Sequence, residues 1–359
     1  MKAPDIPRGL TNSIFLGDCL QLFRQLPDNC VDLIISSPPY NIGKPYEEKQ
    51  PLDSYLKQQA EVLRHCWRVL GRTGSIFWQV GSYVKRGAHT PLDIKVFPIL
   101  EALGMVPRNR IVWLRTHGLH ARNRFSCRHE TILWFTKSDN YKFLLDPIRV
   151  PQLYPEKTSW RQRNKGQLTG HPLGKNPGDV WAFRNVKHNH EEQTIHPSQF
   201  PEDLVERVVL ATTEPRDLVL DPYMGVGTVA VAARDLKRRF VGAETNPSYH
   251  AVALHRLSGE PDESGNFPNL KTLRQYAERH EISDLSRFTF TKQVGETPTP
   301  GDRARIFAEY MHLRAFEETA EGESESSAFR RGHIGHDGRI KKVPERRQTK
   351  QLAIWGEGD

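Results

Sequence analysis

An α/β fold, with one sheet covered by helices on both faces, is the fold class that the sequence predicts. Short runs rich in β-branched and aromatic residues alternate along the chain with longer segments whose apolar residues recur at helical spacing. GSIFWQVG (74–81) is an apolar run bracketed by glycines, which is typical of a buried strand. This alternation of strands and helices indicates a sheet with helices on both sides.

The first half of the chain supplies regular patterns with clear stop signals. Helix 54–70 places its apolar residues on one face and is predicted to stop at Gly71, while Pro27 ends an earlier helix and Gly104 a later one. Together the patterns predict strands at 13–16, 31–36, 74–81, 110–114 and 130–136, and helices at 20–26, 54–70 and 92–103.

Regularity fails between Asp139 and about Gln193, where Pro, Gly, Asn, Arg, Lys and Trp are dense. So long an irregular stretch is typical of a functional region or of a small inserted domain. Beyond it the regular pattern returns. It predicts helices at 201–213, 227–236 and 247–257 and strands at 217–221 and 239–244.

The final part of the chain differs in composition from the rest. Helical patterns at 269–281 and 303–318 precede the polar stretch ETAEGESESS and the basic run RRGHIGHDGRIKK. Low apolar content and split charge predict a partly disordered appendage after a small helical element. The predicted division is 1–137 and 196–259 for the two halves of the main domain, 138–195 for an inserted region and 260–359 for a C-terminal extension.

Composition narrows the class of protein. The chain of 359 residues has a formal charge of +8, and Arg and Lys are dense between Arg108 and Lys187, with aromatics among them. That mix suits contact with phosphates and bases, with a solvated basic face as the alternative. Without an apolar run of about 18 residues or a signal peptide, we expect a soluble, cytoplasmic protein. The cysteines form no CxxC pair, which predicts free thiols at Cys19, Cys30, Cys66 and Cys127.

The segment DLVLDPYMGVGTVAVAA (217–233) joins a strand, an acidic residue, a glycine-rich turn and a helix. Gly225 and Gly227 permit a tight turn and close approach of a ligand near a helix N-terminus, although such a turn can also serve packing alone. Glu244 ends the next strand, where a carboxylate can bind ribose hydroxyls. Ala230 replaces the third glycine of a dinucleotide fingerprint, so a cofactor with adenosine but no pyrophosphate fits better, which indicates S-adenosylmethionine.

The segment IISSPPYNIGKPY (34–46) stops an apolar strand with two prolines. Proline cannot donate to a sheet ladder and restricts the residue before it, so Pro38 and Pro39 force a stiff, extended exit from the strand. This exit presents Ser37 and Tyr40 at the strand end. It is either a simple turn or a means of holding a reacting group still.

With SSPPY and DPYMGVG both present, the sequence resembles the amino-methyltransferases of DNA. Their catalytic motif is Asp, Asn or Ser, then Pro-Pro and an aromatic residue, and in the beta group it precedes the cofactor motif, as here. GDCLQLFRQLP, RHETILWFTK, DVW and HPSQFPEDLVERVVLATT resemble further family segments, and the resemblance extends from about Ser13 to Leu257. It implies a seven-stranded, Rossmann-like methyltransferase sheet with circularly permuted motif order, and an inserted target-recognition region at 138–195.

The resemblance also implies a reaction and a role for each residue of the catalytic motif. The reaction is methyl transfer from S-adenosylmethionine to the exocyclic amine of a base. Ser37 Oγ and the Pro38 carbonyl would accept the amino hydrogens, with Pro39 helping to aim that carbonyl, which is preorganisation and not acid-base chemistry. Tyr40 would offer a π-face to a base extracted from the duplex. Such a reaction requires no metal.

The cofactor site implied by the resemblance draws on several separate segments of the chain. The cofactor residues expected from the resemblance are Asp18, Ser37, His196, Pro197, Asp221, Pro222, Tyr223, Gly225, Gly227, Thr228, Glu244 and Asn246.

The pattern of His188, His190 and His196 could suggest a metal site. Without a nearby cysteine or clustered carboxylate, however, it is more typical of a polar loop.

Contacts to double-stranded DNA are expected from the basic loop before strand 130–136 and from the inserted region. For each of these residues a solvated surface loop is the alternative. A homodimer and a cognate restriction endonuclease are further partners compatible with the resemblance. The residues expected to contact DNA are Arg122, Arg124, Arg128, Trp160, Arg161, Arg163 and Lys165.

The first residue of the catalytic motif bears on the target base. Serine is more usual in family members that methylate N4 of cytosine, and aspartate in those that methylate N6 of adenine, so Ser37 slightly favours cytosine. An RNA amino-methyltransferase and a catalytically silent DNA-binding module are the alternatives. The basic, Trp-rich insertion favours duplex DNA over RNA, and the intact glycine turn with Glu244 favours an enzyme.

Overall fold

The computed structural model describes residues 4, 6–44, 46–85, 87–115, 120–152, 154–187, 190–282, 285 and 289–290. All of them belong to the compact unit Met1–Pro298. The predicted helix at 303–318, the basic run after it and His188 lie outside the described residues. Among the helices of the described part, none has both the length and the apolar composition that a membrane span needs.

Strands and helices alternate in the described chain much as the sequence pattern predicts. The strands are β1 (Ser13–Leu16), β2 (Val31–Ser36), β3 (Leu70–Val80), β4 (Ser82–Lys85), β5 (Ala88–Pro91), β6 (Val106–Leu114), β7 (His129–Thr136), β8 (Val180–Trp181), β9 (Leu218–Asp221), β10 (Arg239–Glu244), β11 (Asn266–Phe267) and β12 (Thr289–Phe290). The helices are α1 (Cys19–Gln25), α2 (Leu52–Val69), α3 (Asp93–Ala102), α4 (Glu202–Thr212), α5 (Thr228–Asp235), α6 (Pro247–Ser258) and α7 (Leu270–Arg279).

Eight strands of the described chain form the main sheet, in the order β1-β10-β9-β2-β3-β7-β6-β8. The five strands from β1 to β3 in that order are parallel, whereas β7 runs antiparallel to both of its neighbours, β3 and β6. The two-residue strand β8 pairs with β6 at the edge, beside the seven predicted strands. Because β6 and β8 are parallel to β3, the carboxyl ends of β2, β3, β6, β8 and β9 lie at one edge of the sheet.

The two faces of the sheet carry separate apolar clusters, because successive strand side chains point in opposite directions. On β2, Ile34 belongs to a cluster with apolar residues of α1, α2 and α3. Its neighbours Leu33 and Ile35 belong to a second cluster with residues of α4, α5 and α6. Full burial of each such side chain contributes about 1.5–3 kcal/mol to folding. The predicted α/β fold with helices on both faces is confirmed.

The start of β3 was predicted too late. Helix α2 ends at Val69, and Gly71 lies inside β3 together with Gly74. A Cβ at Gly74 would lie 3.0 Å from the backbone oxygen of Asp32 and closer still to the Leu70 side chain. Glycine is therefore needed where β3 approaches β2, and β3 starts earlier than the apolar run alone predicts.

The hairpin of β4 and β5 and the short strand β8 were not predicted. The hairpin sequence SYVKRGAHTP is largely polar and lacks a regular apolar alternation. Its pairing of Tyr83 with Thr90 forms a separate two-stranded sheet. Strand β8 consists of the last two residues of the DVW segment and pairs with β6 through only these two residues, so no periodicity could reveal it.

Helix α7 belongs to the same compact unit as the sheet, although the sequence places it at the start of a C-terminal extension. Its Lys271 Nζ lies 2.8 Å from Glu202 Oε2, and Glu202 Oε1 lies 2.6 Å from an Arg256 guanidinium that is almost fully buried. Arg256 also donates to the Val226 carbonyl of the glycine-rich turn at 2.6 Å. Burial opposes ionisation of Glu202, but Arg256 and Lys271 outweigh it and lower the pKa of Glu202.

Replacing Arg256 with methionine would leave the Glu202 carboxylate buried with Lys271 as its remaining cation. Removing one partner of a buried pair typically costs about 3–5 kcal/mol. We expect a loss of that size in the free energy of unfolding, measured by urea denaturation. Asp139→Asn is the control, because Asp139 is 86% exposed and its pair with Arg108 is worth at most about 1 kcal/mol. Equal stability of the two variants would contradict the role assigned to Arg256.

Candidate active site

Two segments far apart in sequence meet at the carboxyl edge of the sheet. Strands β2 and β9 are adjacent and parallel, with Ile34 paired to Leu220. At their ends the Ser36 hydroxyl donates a 2.6 Å hydrogen bond to Asp221 Oδ1, and both side chains are buried. Helix α2, which follows β2, and helix α5, which follows β9, pack on opposite faces. Open α/β sheets bind their ligands at such a switch point.

The glycine-rich turn after β9 is held by two carboxylates. The Tyr223 amide donates to Asp221 Oδ1 at 3.0 Å. The amides of Gly225 and Asn246 donate to the two oxygens of Glu244 at 2.8 and 2.7 Å. Gly225 has a φ of 55°, in the left-handed region that favours glycine. Glu244 therefore joins the turn after β9 to the turn after β10.

A cleft opens at this edge, and a second cleft adjoins it. Both are lined by Pro39, Tyr46, Tyr223 and Glu244. Of the residues predicted from the motifs, the first cleft is lined by Ser37, Pro38, Pro39, Tyr40, His196, Asp221, Tyr223, Gly225, Thr228 and Glu244, and the second adds Asp18 and Pro222. The structure thus brings the catalytic motif and most of the predicted cofactor residues together.

Three predicted cofactor residues do not line either cleft. Asn246 caps α6, where its side chain accepts from the amides of Ser248 and Tyr249. A Cβ at Gly227 would lie 2.9 Å from that of Ala253, so glycine lets α5 and α6 pack closely. Pro197 is half-buried beside His196, outside the residues that line the clefts.

A chain of hydroxyl groups runs from the catalytic motif into the sheet. Ser37 Oγ lies 3.0 Å from the Tyr40 hydroxyl, which donates to Glu130 Oε2 at 3.0 Å. Gln79 Nε2 donates to both the Tyr40 hydroxyl and Glu130 Oε2, and Arg115 forms a 2.8 Å ion pair with Glu130 Oε1. Because the single Tyr40 proton goes to Glu130, Ser37 must donate to Tyr40. The Ser37 oxygen is then left with its lone pairs as acceptors.

Sequence reasoning missed Gln79, Arg115 and Glu130. They come from β3, the residue after β6, and β7, so only the strand order brings them together. Glu130 stands in RHETILWFTK, which resembles a family segment, and an acidic residue at the start of an otherwise apolar strand was the one available signal.

Burial sets the protonation of the groups that line the cleft. It raises the pKa of Asp221 to about 7 and the pKa of Glu244 above its usual value. Burial also lowers the pKa of His196 to about 4, so this imidazole is neutral at physiological pH. The His196 ring stacks on Tyr46 at 5.1 Å between centroids and meets Tyr249 edge-on at 4.6 Å. His196 therefore acts as an aromatic wall of the cleft.

Basic side chains lie at the cleft as well. Lys187 lines it, and burial together with the nearby charges of Lys44 and Arg115 lowers the pKa of Lys187. Lys187, its neighbour Lys44 and Arg115, which is paired with Glu130, give this side of the cleft a positive charge that suits an anion. Arg115 and Lys187 belong to the region from Arg108 to Lys187 in which basic residues are dense, whereas Lys44 lies outside that region.

The residues predicted to contact DNA lie outside the cleft lining. Arg122 and Arg124 are exposed on the 120–128 segment between β6 and β7, where Arg128 is half-buried and its guanidinium lies 3.4 Å from His120 Nδ1. Trp160 is 88% exposed. The neighbouring Arg161, Arg163 and Lys165 are also exposed, in a turn that the Gly166 amide closes onto the Ser159 carbonyl.

Groups able to hold a metal are not assembled in the described part of the chain, where no three His, Cys, Asp or Glu side chains form a suitable cluster. His190 is partly buried, and burial lowers its pKa. The expectation of free thiols is confirmed at Cys19, Cys30, Cys66 and Cys127.

Comparison with known proteins identifies the family. Residues 31–255, well over half of the chain, match the family model described as DNA methylase, of the N6/N4 methyltransferase type. The chain belongs to this DNA methylase family. It is 56% identical over 327 residues to the type II methyltransferase M.BglII of Bacillus subtilis, with 90% of each chain covered. It is 34% identical to M.ScaI of Streptomyces caespitosus, with 72% of this chain and 86% of the relative covered.

The fold is shared with solved methyltransferases. The PvuII DNA methyltransferase, described as cytosine-N4-specific, superposes with a TM-score of 0.55 over 67% of this chain and 84% of its own, at 20% identity. Family membership confirms the resemblance drawn from SSPPY and DPYMGVG. The protein is a DNA methyltransferase that takes its methyl group from S-adenosylmethionine.

Gly81 supports the position of Tyr40, since a Cβ at Gly81 would lie 2.8 Å from Tyr40 Cδ2. Gly81→Ala must displace the buried ring and with it the hydroxyl chain to Glu130. We expect kcat for DNA methylation to fall by about 100-fold, because misplacement of a reacting group by about 1 Å has effects of this size. Cofactor affinity, measured by calorimetry, is expected to stay at the wild-type value.

Gly9→Ala is the matched control for this prediction, because a Cβ at Gly9 would meet nothing within 4 Å. Its kcat should equal that of the wild type. A Gly81→Ala enzyme with normal kcat would show that the placement of Tyr40 has no part in the reaction.

Proposed function

We propose that this enzyme methylates the exocyclic amine of a base extruded from duplex DNA at a specific sequence, with N4 of cytosine favoured over N6 of adenine. The observation that carries the proposal is the direction of the hydroxyl chain. Glu130 and Gln79 orient the Tyr40 hydroxyl, so that Tyr40 accepts a hydrogen bond from Ser37. An acceptor oxygen thus faces the cleft beside the glycine-rich turn.

The lining of the clefts suits S-adenosylmethionine. Asp221 and Glu244 provide two carboxylates, one for an amino-acid ammonium group and one for ribose hydroxyls. The glycine-rich turn lets a ligand approach the backbone, since a Cβ added at Gly225 would meet nothing nearer than His196 at 3.7 Å. We assign the adenosine end to the second cleft, near Asp18, because the two clefts share Glu244. The bound cofactor supplies an electrophilic methyl group.

Ser37 and Pro38 would activate the amine by geometry. An exocyclic amine is a poor nucleophile because its lone pair is delocalised into the ring. The Ser37 oxygen and the Pro38 carbonyl, both at the cleft, can accept its two hydrogens and so favour a pyramidal nitrogen. Pro39 keeps the carbonyl from rotating away. This arrangement requires a hydrogen-bond acceptor at position 37 and not a general base that removes a proton.

The orientation of Ser37 also bears on which base is bound. A neutral hydroxyl, with its proton committed to Tyr40, presents one acceptor and no charge. A carboxylate at the same position would present two charged oxygens. In family members serine here goes more often with cytosine, which supports N4 of cytosine as the preferred target. Tyr40 is only 9% exposed, so its contact with a base would be through the part of the ring that lines the cleft.

We assign DNA contacts to two regions around the cleft. Lys187, Lys44 and Arg115 would bind the phosphates that flank an extruded nucleotide. The region 138–195, with exposed Trp160 and Arg161, would read the target sequence in the major groove. Because the similar M.BglII is a type II methyltransferase, we also propose a role in restriction-modification beside a cognate endonuclease, with a homodimer as the form to test.

Mass spectrometry of nucleosides tests this function most simply. Unmethylated DNA treated with the protein and S-adenosylmethionine should yield N4-methyldeoxycytidine, and modified-base sequencing should place it within one short sequence. Ser37→Ala, which keeps the fold and the cofactor turn, should give a signal lower by about 100-fold.

The other outcomes are equally clear. N6-methyldeoxyadenosine as the product would reverse the base but keep the amine chemistry. Methylation confined to RNA added in parallel would overturn the proposal. Full activity of Ser37→Ala would overturn the role assigned to Ser37.

A further inference from the structure

Phe125 is an apolar side chain held fully in water beside the cleft. Its exposed fraction is 100%, whereas the aromatic rings of the neighbouring strands β6 and β7 are packed in the core. Single exposed apolar residues are ordinary on protein surfaces, and exposure alone would carry nothing. What distinguishes Phe125 is its place, because the segment 120–128 that carries it connects strands whose ends lie at the active edge of the sheet.

The segment is tied to the cleft at its base. Leu114 pairs with His129 at the end of the β6–β7 ladder, and the Arg115 amide donates to the Arg128 carbonyl at 2.8 Å. Next to this base stands Glu130, which lines the cleft as Arg115 does and ends the hydroxyl chain from Ser37. The segment therefore rises from the rim of the cleft.

The tip of the segment is a hydrogen-bonded turn that carries two positive charges. The Ala121 amide donates to Ser126 Oγ at 3.1 Å, which closes a turn across Phe125. Arg122 and Arg124 are exposed on the same turn, and Arg124 donates to the Phe125 carbonyl at 3.2 Å. An exposed apolar ring next to two exposed cations matches duplex DNA, which presents phosphates outside and a base stack inside.

We propose that Phe125 enters the base stack of the DNA next to the target nucleotide and takes the place of the extruded base. This inference rests on the proposed extrusion of that base. Extrusion breaks stacking and pairing and leaves a gap that water fills poorly, and apolar side chains can fill such gaps. Arg122 and Arg124 then hold the adjoining phosphates, while Lys187 and Arg115 hold the extruded nucleotide at the cleft.

The test compares Phe125→Ala with the wild type on two duplexes of equal length. One holds the sequence found by modified-base sequencing, and in the other that sequence is scrambled, so that no base is extruded. We expect Phe125→Ala to bind the target duplex about 5- to 150-fold more weakly, the size of one stacking contact, and the scrambled duplex within about 3-fold of the wild type. Leu254→Ala is the control, because Leu254 is a half-exposed apolar residue on α6 and should change neither affinity.

A fluorescent reporter adds an independent readout. With 2-aminopurine beside the target base, wild-type protein should raise the fluorescence as the stack opens, and Phe125→Ala should lower that rise whereas Phe125→Trp retains the wild-type effect on affinity. Equal losses on the two duplexes, or an unchanged fluorescence rise in Phe125→Ala, would overturn the inference. If the wild type methylates DNA without any rise in 2-aminopurine fluorescence, the base is not extruded and the role proposed for Phe125 is refuted as well. Failure of the proposed function would appear differently, as no methyl transfer by the wild type.

Discussion

The pairing of β2 with β9, closed by the buried hydrogen bond from Ser36 to Asp221, is the constraint on which the site depends. One strand delivers the proline-stiffened turn and the other the glycine-rich turn, from positions far apart in the chain. This contact places the two turns side by side. The Ser36 hydroxyl also gives the buried Asp221 carboxylate a hydrogen-bond donor from the segment of the catalytic motif. The two motifs can therefore form one site although their order in the chain is permuted.

A second set of contacts holds the walls of that cleft. The Glu202–Arg256 pair supports the glycine-rich turn from below, and Lys271 attaches α7 to the same group. Isolated ionised groups would be costly here, so the cluster is stable only because its charges are matched. On the catalytic side, Glu130 and Gln79 hold the Tyr40 hydroxyl in place through hydrogen bonds. These contacts fix the geometry of the wall and of the catalytic turn, as amine activation by geometry requires.

Much of the fold follows from local sequence. The predicted limits of β1, β2 and β10 agree with the structure, because β-branched runs between turn residues leave few alternatives. The early start of β3 was missed because Gly71 and Gly74 serve a close approach to β2, which depends on a backbone distant in sequence. The edge strand β8 and the β4–β5 hairpin are too short or too polar to give a periodic signal.

The site was predictable where a motif carried it and not elsewhere. Ser37, Asp221 and Glu244 stand in recognisable segments and meet at the cleft. Gln79, Arg115 and Glu130 belong to three different strands or their ends, and only the antiparallel placement of β7 between β3 and β6 brings them to Tyr40. The exposure of Phe125 likewise depends on how its segment leaves the sheet.

The pH dependence of cofactor binding tests the central contact most directly. The pKa of Asp221 is raised to about 7 by burial and lowered in part by the bond from Ser36, so binding of the cationic cofactor should strengthen as the pH rises through about 7. In Ser36→Ala the carboxylate loses that donor, and calorimetry between about pH 5.5 and 8 should show the midpoint moved upward, while Asp221→Asn should bind weakly at every pH. A midpoint that is the same in Ser36→Ala and the wild type would contradict the role of the Ser36–Asp221 bond.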